Sequence, residues 1–136
     1  MKVIIAGGRD FHNYFIMENV LKQLHSIDEV VCGDAQGADT LGMRWAIYNN
    51  IPIWHMPALW DKYGKNAGFI RNAEMGEYAD ALIAFWDGKS KGTKHMIQTM
   101  RLNKKPYMIF NYYGNRIDET GKEIDDNGDY SLACPW

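Results

Sequence analysis

The sequence predicts an α/β domain in which helices cover both faces of a parallel sheet of about five strands. Three observations carry this. Short runs rich in valine, isoleucine and aromatic residues alternate with longer segments whose apolar residues recur at helical spacing. The short runs are apolar on both faces, as strands covered from both sides must be. The length of 136 residues suits one domain and one real core.

The elements follow in order. Lys2–Ala6 is a strand ending in Gly7-Gly8, and Asn13–His25 carries Ile16, Met17, Val20, Leu21 and Leu24 on one helical face. Glu29–Cys32 is a second strand, closed by Gly33, and Ala38, Leu41, Trp45 and Tyr48 mark the next helix. Ile51–Met56 is a third strand, stopped by Pro57, and 58–65 reads as a loop. Gly68–Tyr78 is a helix, Asp80–Trp86 a fourth strand, Thr93–Met100 a helical face and Pro106–Phe110 a fifth strand. Residues 115–125, with their Glu-Thr-Gly turn, predict a peripheral hairpin or tail. Residues 1–112 thus form the main body, and 113–136 an acidic hairpin or tail of the same domain.

Composition excludes several classes. With 46% hydrophobic and 24% charged residues the chain is ordinary for a globular protein, and its net charge of −2 gives no general basic field for long nucleic acids. The charge is uneven. Residues 115–129 hold six acids against two bases, which leaves 13 bases and 11 acids, a balance of +2, in the remainder. An anionic small ligand is acceptable to that body. Cys32 and Cys134 stand in no paired motif, and no metal-ligand spacing occurs, so neither a disulfide framework nor a bound metal or other cofactor is expected. No apolar stretch is long enough to span a bilayer, and the first residues run straight into a strand, so a cytoplasmic protein is the expectation.

Right-handed crossovers place the strand C-termini along one edge, where open α/β sheets bind ligands. Four segments reach it. In the first, Gly7 and Gly8 let backbone N–H groups approach a ligand, and Arg9, beside Asp10, can grip a phosphate with two parallel bonds. In the second, Gly33, Asp34, Gly37 and Asp39 precede a helix whose N-terminus suits an anion; either aspartate can bind a ribose hydroxyl while the other caps the helix. In the third, Arg71 and Asn72 fall in the first turn of a helix, where a cation is disfavoured by the dipole and asparagine is a poor helix former. Two broken local rules in neighbouring positions point to function. The fourth, Trp86-Asp87-Gly88-Lys89-Ser90-Lys91-Gly92-Thr93, has the ingredients of a phosphate cradle, although it is no Walker A loop.

The pieces IIAGGRDF, CGDAQGAD, AGFIRNAEM and ADALIAFWDGKSKGTKHM, spread over residues 2–110, resemble the SLOG superfamily and its YspA-like branch. The resemblance implies a Rossmann-like three-layer fold, recognition of nucleotides or nucleotide-derived signals, and dimers or larger homo-oligomers. A related group, the lonely-guy phosphoribohydrolases, carries P-G-G-x-G-T-x-x-E. Here Gly92 and Thr93 match, but the position of the glutamate is Met96. A thioether can neither offset charge on a ribosyl cation nor carry a proton, and losing such a group costs about 10²–10⁴ in rate. Met96 also shares the apolar stripe of Ile97 and Met100, which reads as core.

The first expectation is therefore a binder that senses or sequesters a nucleotide-derived ligand. The second is a nucleotide N-glycosidase with another carboxylate, Asp87 first, then Asp34, Asp39 and Glu74. Single-stranded DNA binding ranks third. The related DNA-processing proteins carry R-N-R where this chain has Arg71-Asn72-Ala73, and the charge is slightly acidic, although Trp54, Trp60, Tyr63 and Trp86 can stack bases. Asp61, Lys62, Tyr63 and Lys65 form a polar stretch suited to folding over a ligand, and Trp60 and Trp136 suit a homo-oligomer interface. His55 and His95 read as ordinary polar positions.

Overall fold

The predicted strands pair into one sheet of order β3-β2-β1-β4-β5-β6 in the computed structural model, which describes residues 1–24, 27–33 and 36–124. The strands are β1 (Lys2–Gly7), β2 (Glu29–Cys32), β3 (Ile53–His55), β4 (Ala81–Phe85), β5 (Tyr107–Phe110) and β6 (Arg116–Ile117). The first five are parallel, and β6 joins β5 antiparallel. Helices α1 (Tyr14–Leu21), α2 (Ala38–Tyr48), α3 (Trp60–Tyr63), α4 (Ala67–Tyr78) and α5 (Lys91–Leu102) complete a Rossmann-like three-layer fold.

Side-chain alternation along β1 splits the core in two. Val3 and Ile5 pack with Met17, Leu21, Leu41 and Trp45 under α1 and α2, whereas Ile4 and Ala6 pack with Met75, Met96 and Met100 under α4 and α5. All five residues of β4 are buried, which fits its central place between β1 and β5. The chain runs outward from β1 to β3 and then returns across the sheet to β4. The strand order therefore reverses between β1 and β4, and this switch point opens a crevice at their C-terminal ends.

Several boundaries differ from the sequence expectation. The stretch 58–65 is not plain loop: α3 and a 3₁₀ turn (Gly64–Asn66) occupy most of it, with the Leu59 carbonyl accepting from the N–H groups of Lys62 and Tyr63. Four residues are too few for a helical period to register. Helix α1 ends at Leu21, capped at its start by Asn13 Oδ1 accepting from Ile16 N–H. The apolar face continues to Leu24 through tight turns. Strand β3 is shorter than 51–56, although Pro52 and Met56 still bond to β2. Helix α4 begins at Ala67, so Arg71 and Asn72 lie in its second turn, beyond the end where the dipole disfavours a cation.

The hairpin expected over 115–125 is present as far as Ile124. Asp118 Oδ1 accepts from Thr120 and Lys122 N–H at its turn, and Ile117 bridges to Glu123. Asp125, Asp126, Asp129, Cys134 and Trp136 lie outside the described residues. Among those described, no helix is long and apolar enough to cross a membrane.

Candidate functional site at the switch point

The loop after β1 is bound tightly to its neighbours. Gly8 N–H donates to the Phe85 carbonyl (3.1 Å), and the Gly8 carbonyl accepts from Phe11 N–H (3.3 Å) and from Ala38 N–H (3.2 Å). The last bond draws the start of α2 against this loop. Gly37 makes the approach possible: its φ is +76°, and a Cβ there would stand 2.4 Å from the Gly8 carbonyl oxygen.

A cleft of about 470 Å³ opens above these strand ends. Gly7, Gly8, Arg9 and Asp10 line it from β1, Asp39 from α2, Arg71, Asn72 and Met75 from α4, and Ser90, Gly92, Thr93 and Met96 from the start of α5. Asp39, Asn72 and Thr93 are the buried polar or charged side chains among the described residues, tyrosine and tryptophan aside, and all three face this one cleft. Burying such groups is unfavourable unless they are partnered, so each needs a partner within the protein or in the cleft.

The partnering is specific. Asn72 Nδ2 donates to the Gly92 carbonyl and lies 3.2 Å from His95 Nδ1, while its Oδ1 accepts from Arg71 Nε (3.1 Å). One amide thus ties α4 to the first turn of α5 and aims the guanidinium. The His95 ring, partly buried and against Phe69 at 4.5 Å, is held below its ordinary pKa by that burial, so neutral Nδ1 can accept from Asn72. On its other side Arg71 lies over Gly33, where a Cβ would sit 2.1 Å from Nη1 and 3.0 Å from Asp39 Oδ2. Cys32, next in the chain, has its thiol pushed up to about 12, by burial first and then by the Asp39 charge, against the opposing Arg71 charge. Such a thiol is no nucleophile.

The fourth segment builds the loop and supplies its far end to the cleft. Trp86 is buried, and its Nε1 donates to the Ser90 carbonyl (3.1 Å). Asp87 Oδ1 accepts from the N–H groups of Lys89 and Ser90, each at 2.8 Å. Partial burial opposes ionisation of Asp87, but these N–H groups and the Lys89 charge outweigh it, and the carboxyl sits below its ordinary value. Ser90 and Thr93 hydroxyls lie 3.2 Å apart, and a Cβ at Gly92 would meet nothing within 4 Å. The first N–H groups of α5 lack intrahelical acceptors, which makes this end suited to an anion.

Residues 1–63, which carry the first two glycine-bearing loops of this site, match the YspA, cpYpsA-related SLOG family. The chain is also 42% identical over 120 residues to the Gene 61 protein of Mycobacterium phage D29, an alignment that covers 80% of this chain and 95% of that protein. The chain belongs to the YspA, cpYpsA-related SLOG family. No solved structure matches it.

For this SLOG protein, ten of the residues singled out from sequence line the cleft: Gly7, Gly8, Arg9, Asp10, Asp39, Arg71, Asn72, Ser90, Gly92 and Thr93. Gly33 lies beneath Arg71, and Gly37 shapes the loop contact. Trp86 and Asp87 are not brought into it; they line a neighbouring cavity of about 370 Å³ with Gly88, Asn111 and Tyr112. Asp34 lies outside the described residues. Met96, where the phosphoribohydrolase motif has glutamate, is 1% exposed, packs in the α5 core and forms part of the cleft wall.

Sequence reasoning missed Tyr112. Its hydroxyl donates to Asp10 Oδ1 and occupies the space above Gly8, where a Cβ would stand 1.8 Å away. Burial, then the Asp10 hydrogen bond and the charges of Asp87 and Asp10, push its pKa up and keep it a donor. The available signal was position: Tyr112 follows the C-terminal end of β5, on the same rim as the four segments.

Proposed function

We propose that the cleft binds a nucleotide or nucleotide-derived ligand and holds it unaltered, as a sensor or sequestering protein does. The observation that carries this reading is the convergence of Asp39, Asn72 and Thr93, all buried, with Arg9, Arg71 and the open start of α5. In this reading the N–H groups around Gly92 and the hydroxyls of Ser90 and Thr93 take the phosphate, helped by Arg71. Asp39 accepts from a ribose hydroxyl. The family's general association with nucleotide-related binding or processing fits the same assignment.

Holding without cleavage follows from what stands around the ligand. A thioether occupies the position where the related hydrolases have glutamate, and the low-lying Asp87 carboxyl is bound to its own loop. One observation favours a second reading, N-glycosidic hydrolysis: Asp39 puts a buried carboxylate in the cleft. The two separate by experiment. The protein is denatured, released small molecules are identified by mass spectrometry, and fresh protein is incubated with nucleoside monophosphates while free base is followed by chromatography. Binding alone predicts an intact nucleotide derivative and no free base above an Asp39→Asn control. Steady release of base by the wild type would replace the binder with the hydrolase, and no released nucleotide derivative together with no turnover would remove both.

A further inference from the structure

The loop between β1 and α1 has a second side. There a cavity of about 600 Å³ opens between Asp10, His12, Tyr14, Phe15, Arg44 and Tyr112. Asp10 lines both this cavity and the cleft, and the Asp10–Tyr112 hydrogen bond stands at the boundary.

Three features of this cavity point to a ligand. Phe15 is 79% exposed, follows a helix start capped by Asn13, and meets the Tyr14 ring edge-on, at 6.3 Å and 74°. Tyr14 is 8% exposed, yet its hydroxyl has no hydrogen-bond partner, the one buried side-chain oxygen or nitrogen in that condition among the described residues. Phenylalanine would fill the same apolar space without that penalty. The Arg44 guanidinium sits over the Tyr14 ring, 4.7 Å from its centroid, with Nε donating to Tyr48 Oη at 3.2 Å. An open ring face, an unsatisfied hydroxyl and a cation held by aromatic rings together suit a flat heteroaromatic ring with polar edges.

We propose that this cavity is a nucleobase subsite. The base of the ligand held in the cleft crosses Asp10 and stacks on Phe15, while Tyr14 Oη and the Arg44 guanidinium hydrogen-bond to its edge. The assignment rests on the cleft taking the phosphate and ribose, and the test separates the two. Calorimetry is run with AMP and with ribose 5-phosphate on the full chain, as wild type, Phe15→Ala and Tyr14→Phe. AMP is expected to bind about tenfold more tightly than ribose 5-phosphate, the scale of one base–aromatic stack. Phe15→Ala removes that difference and leaves ribose 5-phosphate unchanged; because Phe15 is on the surface, the variant keeps its fold. Tyr14→Phe weakens AMP alone. Equal binding of the two ligands by the wild type, or an AMP advantage that survives Phe15→Ala, overturns the subsite and leaves the cleft standing. So does a loss in Phe15→Ala that is the same for both ligands. Binding of neither ligand overturns the cleft reading and the subsite with it.

Discussion

At the scale of single residues, Gly33 and Asn72 explain how a guanidinium is aimed. A side chain at 33 would occupy the place of Arg71 Nη1, 2.1 Å from the position of the added Cβ. Arg71 is long and flexible, so Gly33→Ala is expected to displace the guanidinium rather than the backbone, changing stability by no more than about 1 kcal/mol. The guanidinium then no longer faces the phosphate, and AMP affinity falls about tenfold, since a charge-assisted hydrogen bond is worth roughly 1.5–3 kcal/mol. Thermal unfolding and calorimetry on the same sample check both halves. Unchanged affinity would remove Arg71 from the site. Asn72 was legible as a helix residue that breaks a rule, but the reason offered for Arg71, a cation in the first turn, fails because α4 starts earlier. What makes the pair unusual is tertiary: Asn72 bonds to Gly92 and Arg71, and meets His95, across two helices.

Among the elements, α4 and α5 are joined at the site by that same amide, and this link is sensitive to pH. Burial holds His95 below its ordinary pKa, so the unfolded chain binds the proton more readily than the folded one. The resulting stability is complete above the ordinary histidine value and is lost as pH falls through the depressed one. His95→Gln keeps an acceptor and does not titrate; it is expected to flatten the decline of Tm as pH falls below 6.5, the ordinary histidine value. A series of melting curves for both proteins checks this, and identical slopes would mean that His95 does not contribute. Element boundaries were legible where periodicity was long, as in α2, α4 and α5. Helix α3 was not, because a four-residue helix has too few turns to register. The stretch from Trp86 to Thr93 was legible as glycine-rich and polar, but its internal division was invisible, because Lys91, Gly92 and Thr93 already belong to α5. Trp86 and Asp87 hold the shape of the loop before α5, and only Ser90 and the start of α5 reach the cleft, since Asp87 turns back to the N–H groups of Lys89 and Ser90.

For the molecule as a whole, the reversal of strand order between β1 and β4 puts the cleft where it is. The alternation of strands and helices in the sequence was enough to predict that rim, because parallel connections leave few other arrangements. The contribution of Tyr112 was not legible, since it rests on a contact with Asp10 and Gly8, residues far from it in sequence. The most direct measurement is an amide NMR titration of the isotope-labelled protein with AMP. Saturable shifts of Gly8, Arg9, Gly92 and Thr93, with Gly114 and Gly121 unmoved, are the expected result. A titration in which those four amides stay in place, or in which the shifts gather on the hairpin, would contradict a nucleotide site at the switch point.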